Sequence, residues 1–275
     1  MKPAPIRVVV GTVVSSVLLG LADAGVATTV AEDGATITGT VLYQGEPPTP
    51  AKLNFGAEQQ CALPHGDHMP VEEKLVVNPN HTLKWTLLRI VEDLPGPYTP
   101  PAEPLVYEQV GCVFQPHVGA VMVGQPVEVR NEDPVLHNVR AQSKQQQSFN
   151  IAQPIKGMKT TKTMKKQEIG IPLKCDVHFW MIAYLHVLSH PFFALTGDDG
   201  TFAIRNVPPG TYTLEAWHET LGTLTQTVTL SAGQAVTVDF TFPSTQPQSA
   251  GALRPMTEII DCRGRLAVTF KVEGV

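Results

Sequence analysis

The residues best suited to chemistry lie in Lys174-Cys175-Asp176-Val177-His178-Phe179-Trp180-Met181, a Cys-x2-His-x2-Met run, and upstream in Pro134-Val135-Leu136-His137-Asn138-Val139. One thiolate and two imidazoles in a trigonal arrangement, with a long and weak thioether bond, suit copper in both of its common oxidation states. The sulfur donors favour Cu(I) and the imidazoles serve either state, so little has to move when one electron passes. Three of these residues (Cys175, His178 and Met181) share one short loop, and the fourth, His137, must arrive from another strand end. The spacing argues against other metals. Structural zinc wants four strong ligands, usually with two or more cysteines, and this region offers one. A dinuclear copper centre needs a second cysteine on the same loop. Multicopper sites need His-x-His pairs, and His65-Gly66-Asp67-His68 has the wrong spacing.

Strands must position these residues. Thr36–Tyr43 alternates apolar and polar, and Gly45-Glu46-Pro47-Pro48 ends it with turn residues. Leu75–Val77 and Leu83–Val91 are strand-like, joined by Asn78-Pro79-Asn80. Five prolines between Pro95 and Pro104 then make a stiff connection that no central strand could contain. Residues 105–181 form a second unit with strand-like runs at 118–123, 126–130 and 168–173. A third unit spans 182–243, with turns at Gly197-Asp198-Asp199-Gly200 and Pro208-Pro209-Gly210 separating strands that run to 242. A polar tail, 244–275, closes the chain with a strand-like run at Leu266–Val272.

The stretch from Val123-Gly124-Gln125-Pro126 through Asn131-Glu132-Asp133 to Leu136-His137-Asn138-Val139, with its Cys-x2-His-x2-Met loop, resembles a cupredoxin domain over 105–181, nearest the amicyanin-like branch. The resemblance implies a Greek-key sandwich holding one type 1 (blue) copper. In it His137, Cys175 and His178 are equatorial ligands, Met181 is axial, and Asn138 bonds across to the cysteine loop. The wider stretch from about 105 to 230 is similar to plastocyanin-like proteins labelled methylamine utilisation proteins, through Gly-Cys-x3-Pro-His (111–117), Gly-Met-Lys-Thr-Thr-Lys-Thr (157–163) and Glu-Ala-Trp-His-Glu (215–219). Residues 196–214, with Thr-Gly-Asp-Asp-Gly-Thr-Phe and Val-Pro-Pro-Gly-Thr-Tyr-Thr-Leu, resemble the carboxypeptidase regulatory-like, or transthyretin-like, β-sandwich. That module often begins with a Gly-Thr-Val strand such as Gly39-Thr40-Val41. The region 34–104 is therefore either the start of that sandwich, with the cupredoxin unit inserted into it, or a separate sheet.

Composition agrees with an all-β chain. Only 16% of the 275 residues are charged, 22 are glycine and 24 proline, and apolar residues come in short runs. The net charge of −5 excludes duplex nucleic acid as an obvious partner. Lys2 and Arg7 precede an apolar stretch from Val8 to Leu21, and Ala22-Asp23-Ala24 offers a cleavage site, so residues 1–24 read as a signal peptide for export. The run is short for a membrane span; an uncleaved anchor is the alternative. The mature chain is expected to be periplasmic or secreted, with no membrane span. In that oxidising space disulfides persist. Of four cysteines, Cys61 and Cys112 are the best candidates to pair, because both precede the copper loop; Cys262 is then left over.

His117, His190 and His218 are read as bonding backbone groups between sandwiches, with a second metal or proton-linked site as the alternative. Lys156, Lys159, Lys162, Lys165 and Lys166 form either a docking face for an acidic redox partner or an edge strand guarded against pairing. The expectation is a one-electron carrier serving a redox partner protein, not an enzyme, since four ligands leave no open position. A copper carrier or sensor with the same ligands, and an adhesion or carbohydrate-binding sandwich, are the competing readings.

Overall fold

The computed structural model describes residues 34–244. The expected signal segment 1–24, Cys262 and the run at 266–272 lie outside the described residues. The strands are β1 (Ala35–Gln44), β2 (Leu87–Ile90), β3 (Leu105–Val110), β4 (Val113–Gln115), β5 (Val118–Met122) and β6 (Pro126–Asn131). They continue with β7 (His137–Ala141), β8 (Phe149–Gln153), β9 (Lys159–Thr163), β10 (Glu168–Lys174), β11 (Ile182–Leu188) and β12 (Phe193–Leu195). The last are β13 (Thr201–Val207), β14 (Gly210–His218), β15 (Gly222–Leu230), β16 (Ala235–Thr237) and β17 (Phe240–Pro243).

These strands make an all-β chain of two sandwiches, each with its own core. In the first, a sheet ordered β13-β1-β16, with β17 also paired to β1, faces a sheet ordered β12-β2-β14-β15. Strand β1 shows why: Ala35, Ile37, Val41 and Tyr43 are buried on one face while their neighbours are half-exposed, the period-2 pattern of a strand with one wet face. Gly39 completes the series at a point where any side chain would collide, because a Cβ there would lie 1.9 Å from the Val238 carbonyl oxygen. The core between these sheets includes Leu88, Ile90, Phe202, Leu214, Phe240 and Phe242.

The second sandwich stacks a five-stranded sheet, β5-β11-β10-β7-β8, on a four-stranded one, β4-β3-β6-β9. Successive strands repeatedly change sheets, and parallel pairs (β3 with β6, β5 with β11) sit beside antiparallel ones. Its core includes Tyr107, Val121, Val129, Leu173, Leu185 and also Cys175 and Met181.

Two boundaries read from the sequence change. Residues 182–188 were expected to open the third unit, yet β11 pairs antiparallel with β10 and parallel with β5, inside the second sandwich. The ligand loop is the connection of a hairpin, so the strand following it returns along the strand preceding it. The region 34–104 also divides. Strands β1 and β2 lie in the first sandwich, and of the two runs expected at 75–77 and 83–91 only the tail of the second becomes a ladder. Residues 51–72, in contrast, lie over the second sandwich. Their ends are tied to each other by Leu53 N–H to Pro70 O (2.8 Å) and Glu72 N–H to Ala51 O (2.8 Å), and Phe55 and Cys61 are buried in that sandwich's core.

Candidate metal centre

His137 is the first residue of β7, and Cys175 follows the last residue of β10, two strands that pair with one another. Strand pairing alone therefore brings the imidazole and the thiol to the same end of the sheet. The loop then folds back: Met181 N–H donates to His178 O (2.9 Å) and Cys175 N–H to Met181 O (3.2 Å). His178 is thereby held under Cys175. The Cys175 Sγ lies 3.9 Å from His137 Nδ1 and 3.8 Å from His178 Nδ1, and the two Nδ1 atoms are 2.9 Å apart. All three residues are buried. Donors that each sit about 2.0–2.3 Å from one small ion lie about 3–4 Å from one another, so this triad has the dimensions of a metal-binding face. Of the predicted ligands, the structure brings His137, Cys175 and His178 together by their donor atoms; Met181 is buried on the same loop and bound to both loop partners through its backbone.

Asn138 faces the cysteine loop from β7. Its Oδ1 accepts the Asp176 N–H (2.6 Å) and lies 3.4 Å from Cys175 Sγ, while its Nδ2 donates to Asn150 Oδ1 (2.7 Å). The cysteine loop is pinned to β7 and β8 by these bonds and by the Arg140–Asp176 pair at 3.0 Å.

The electrostatics favour a thiolate. Burial alone would push the Cys175 thiol up, but hydrogen bonds from His137 and His178, and from the backbone of Asn138 and His178, outweigh it and bring it down to about 5. Burial likewise works against charge on His137, yet the Asp133 carboxylate and the Cys175 sulfur raise its affinity for a proton above the ordinary histidine value. The donor set is thus a soft anion and two imidazoles in a site closed to bulk water, a combination that suits copper.

One participant, Asp133, was not singled out in the sequence. Asp133 Oδ2 lies 2.9 Å from His137 Nε2, in the Asn-Glu-Asp-Pro turn that served only as a landmark. The Cys61–Cys112 disulfide is formed, with the Cα atoms 5.3 Å apart, and its sulfurs sit beside His178. A cap builds on it. Trp180 Nε1–H donates to Cys112 O (2.9 Å), His65 Nε2 bonds to Gly111 O (2.7 Å), and Phe55 meets the ring of Trp180 edge-on with centroids 5.2 Å apart. Trp180 in turn leans on His178, with ring centroids 5.2 Å apart. Of the two aromatic residues flanking the imidazole, only Phe179 stands out in water, 79% exposed.

The remaining histidines separate. His190 Nδ1 accepts the Phe192 N–H (3.2 Å), and His218 Nδ1 accepts those of Thr220 and Leu221 (3.2 and 3.3 Å), so both serve the backbone. His117 instead pairs with the Glu219 carboxylate, both side chains being buried, and so joins the start of β5 to the turn after β14. The lysines at 159 and 162 ride on β9, the edge of its sheet, where they deter a further strand.

Residues 188–243 match the family model of the carboxypeptidase regulatory-like domain. No curated protein matches the chain. Among solved structures it is similar to a purple cupredoxin from Nitrosopumilus maritimus, at 17% identity over 30% of this chain and 98% of that one, with a TM-score of 0.27. It is similar also to an amicyanin variant in its oxidised state, at 19% identity over 30% of this chain and 81% of the other, TM-score 0.28. A copper-containing nitrite reductase from Thermus scotoductus aligns at 23% identity over 36% of this chain and 25% of its own length, TM-score 0.27. No helix among the described residues is long and apolar enough to cross a membrane. The likeness to cupredoxins covers about a third of the chain, and the family-model match covers residues 188–243.

Proposed function

We propose that this chain is an exported one-electron carrier whose second sandwich is a cupredoxin domain, inserted between β2 and β12 of the regulatory-like sandwich. The observation that carries the reading is the convergence of Cys175 Sγ, His137 Nδ1 and His178 Nδ1 within 3.9 Å of one another in a buried site. Those three residues would hold one type 1 copper, with the Met181 thioether as a fourth, weaker donor. When bound, copper supplies a one-electron couple. The chain does the rest. Cys175 offers a thiolate at neutral pH, Asn138 and the loop bonds keep the donors from spreading, and Trp180, Phe55 and the disulfide keep water from the imidazole of His178. A site held this firmly changes little between oxidation states. Export through residues 1–24 to the periplasm or beyond fits a disulfide-bearing chain, and the partner is a redox protein rather than a substrate for turnover.

The test begins with the reduced apoprotein and Cu(II). An intense visible copper–thiolate band, present in the native chain and lost in Cys175→Ala, supports the reading; a native chain without the band overturns it. Electron exchange with a small redox protein then separates transfer from mere carriage of the metal, because a carrier protein shows the band but exchanges slowly.

A further inference from the structure

The residue that the ligand pattern does not name is Asp133. Its carboxylate is buried, 4% exposed, and carries three hydrogen bonds from the chain. Oδ1 accepts Gly111 N–H at 2.7 Å, Oδ2 accepts Cys112 N–H at 2.8 Å, and the same Oδ2 faces His137 Nε2 at 2.9 Å. The two backbone donors come from the hairpin turn between β3 and β4, where Gly111 and Cys112 are both left-handed (φ 62° and 55°). Two successive residues in that conformation point their N–H groups into one concavity, a natural seat for an anion. Asp133 is held from its own backbone as well: its N–H donates to Asn131 Oδ1 at 2.9 Å, and Asn131 Nδ2 is spent on Val135 O and Gln153 O. Nothing about this carboxylate is free to turn.

A neutral imidazole carries its proton on one nitrogen and a lone pair on the other. Asp133 and the Cys175 thiolate can both only accept, but the carboxylate lies at hydrogen-bond distance from Nε2 (2.9 Å) while the sulfur is 3.9 Å from Nδ1, so in the neutral ring the proton resides at Nε2 and the lone pair at Nδ1, which is the atom aimed at Cys175 and His178. The opposite tautomer would set two lone pairs against each other at Nε2 and place a proton where a ligand bond belongs. We infer that Asp133 is the positioning residue of this centre: it locks His137 in the Nε2–H form and sets a fixed negative charge behind that ligand, biasing the site toward the more highly charged metal state. The inference rests on the copper reading for its second half only, since the tautomer is a property of the chain itself. It also links two features that seemed separate, because the turn that seats Asp133 contains Cys112 of the disulfide.

The deciding experiment is a long-range 1H–15N spectrum of the native apoprotein with its disulfide intact, at alkaline pH, where imidazoles are neutral. His137 is expected as the Nε2–H tautomer; an Nδ1–H signal overturns the inference without any variant being made. In Asp133→Asn the side-chain amide can donate to Nε2 and draw the proton to Nδ1, the same tautomer fault that a carboxylate-to-amide change produces in a hydrolase triad. The expected results are a tautomer shift and a roughly 10–100-fold loss of Cu(II) affinity, the usual size for a residue that orients a ligand. If Cu(I) affinity is unaffected, each tenfold of that loss raises the reduction potential by about 59 mV. Lower thermal stability with tautomer and potential unchanged would make Asp133 merely structural and overturn the inference while leaving the copper reading intact. A native chain that gives no copper–thiolate band removes the copper reading, and the apoprotein spectrum then decides the role of Asp133 by itself.

Discussion

The two sandwiches use the same raw material differently. Both are built from alternating strands over an aliphatic and aromatic core, and both bury histidines. In the regulatory-like sandwich the imidazoles are spent on the backbone: His190 and His218 each accept an N–H at Nδ1, at the close of a strand or turn. In the other, His186 likewise accepts the Gly170 N–H at Nδ1 (3.1 Å), but His137 is turned the opposite way round. Its Nε2 is anchored to a carboxylate, and its Nδ1 is left facing a thiol and a second imidazole. Burying a histidine is therefore not what makes a site. The difference is which nitrogen the surrounding chain consumes, and whether the other one has something to share.

That contrast can be tested by damaging each half separately. The largest effect is expected from the core of the regulatory-like sandwich, which holds no donor set. Leu214→Ala empties a fully buried position and should cost about 2–5 kcal/mol. If the two halves are as distinct as their cores, urea unfolding will show that loss while the folded variant keeps a copper–thiolate band of native shape. A changed band would mean the sandwiches are coupled through contacts such as His117–Glu219. Next in size is the paired change Cys61→Ser with Cys112→Ser, which removes a cross-link spanning 51 residues and should cost about 2–4 kcal/mol. Because the cap hangs on that bond, a chelator should strip bound metal faster from this variant than from Leu214→Ala; equal rates would show that the cap does not guard the site.

A smaller, pH-dependent effect should distinguish histidines that serve the backbone. Burial, helped by the nearby His117, lowers His218 from its ordinary 6.5 to about 4. The unfolded chain thus takes a proton near pH 6.5 that the folded chain refuses until about pH 4. Its contribution is fully present above pH 6.5 and is lost as the pH falls toward 4, amounting to about 3 kcal/mol. His218→Asn keeps an acceptor for the Thr220 and Leu221 N–H groups but does not titrate there. Denaturation midpoints should accordingly fall less steeply for the variant than for the native chain across that interval; parallel curves would remove His218 as the cause.

Much of this was legible in the chain because it is local. The period-2 alternation of Thr36–Tyr43, the turns at 197–200 and 208–210, and the spacing of Cys175, His178 and Met181 are properties of consecutive residues. What escaped is non-local. The allegiance of β11 depends on pairing with β5, over sixty residues earlier, and its nearly continuous apolar run, IAYLHVL, would suit a buried strand in either sandwich. Asp133 reads as a turn residue until the hairpin at Gly111 and Cys112 is seen to seat it. Of the cap only its anchor was legible, as the expected Cys61–Cys112 pair; residues 51–72 have no strand periodicity, and their aromatic contacts with Trp180 are non-local.

The pairing of β1 sets a timetable for the molecule. Ala35 to Thr40 find their antiparallel partner at 201–207, and Val41 to Gln44 pair with 240–243. During synthesis the ladder partners of the first strand therefore emerge late: its end can meet residues 81–83 early, but Ile37 stays uncovered until residues 201–207 exist. The β3–β11 segment, whose partners all lie between 105 and 188, can close its sheets before that. Long-range closure is entropically slow and leaves apolar edges open to mispairing. The early-closing sandwich also shortens the wait. Once it is compact, it acts as a rigid spacer in place of a long floppy loop, and β2 and β12, which flank it, are brought within reach of each other.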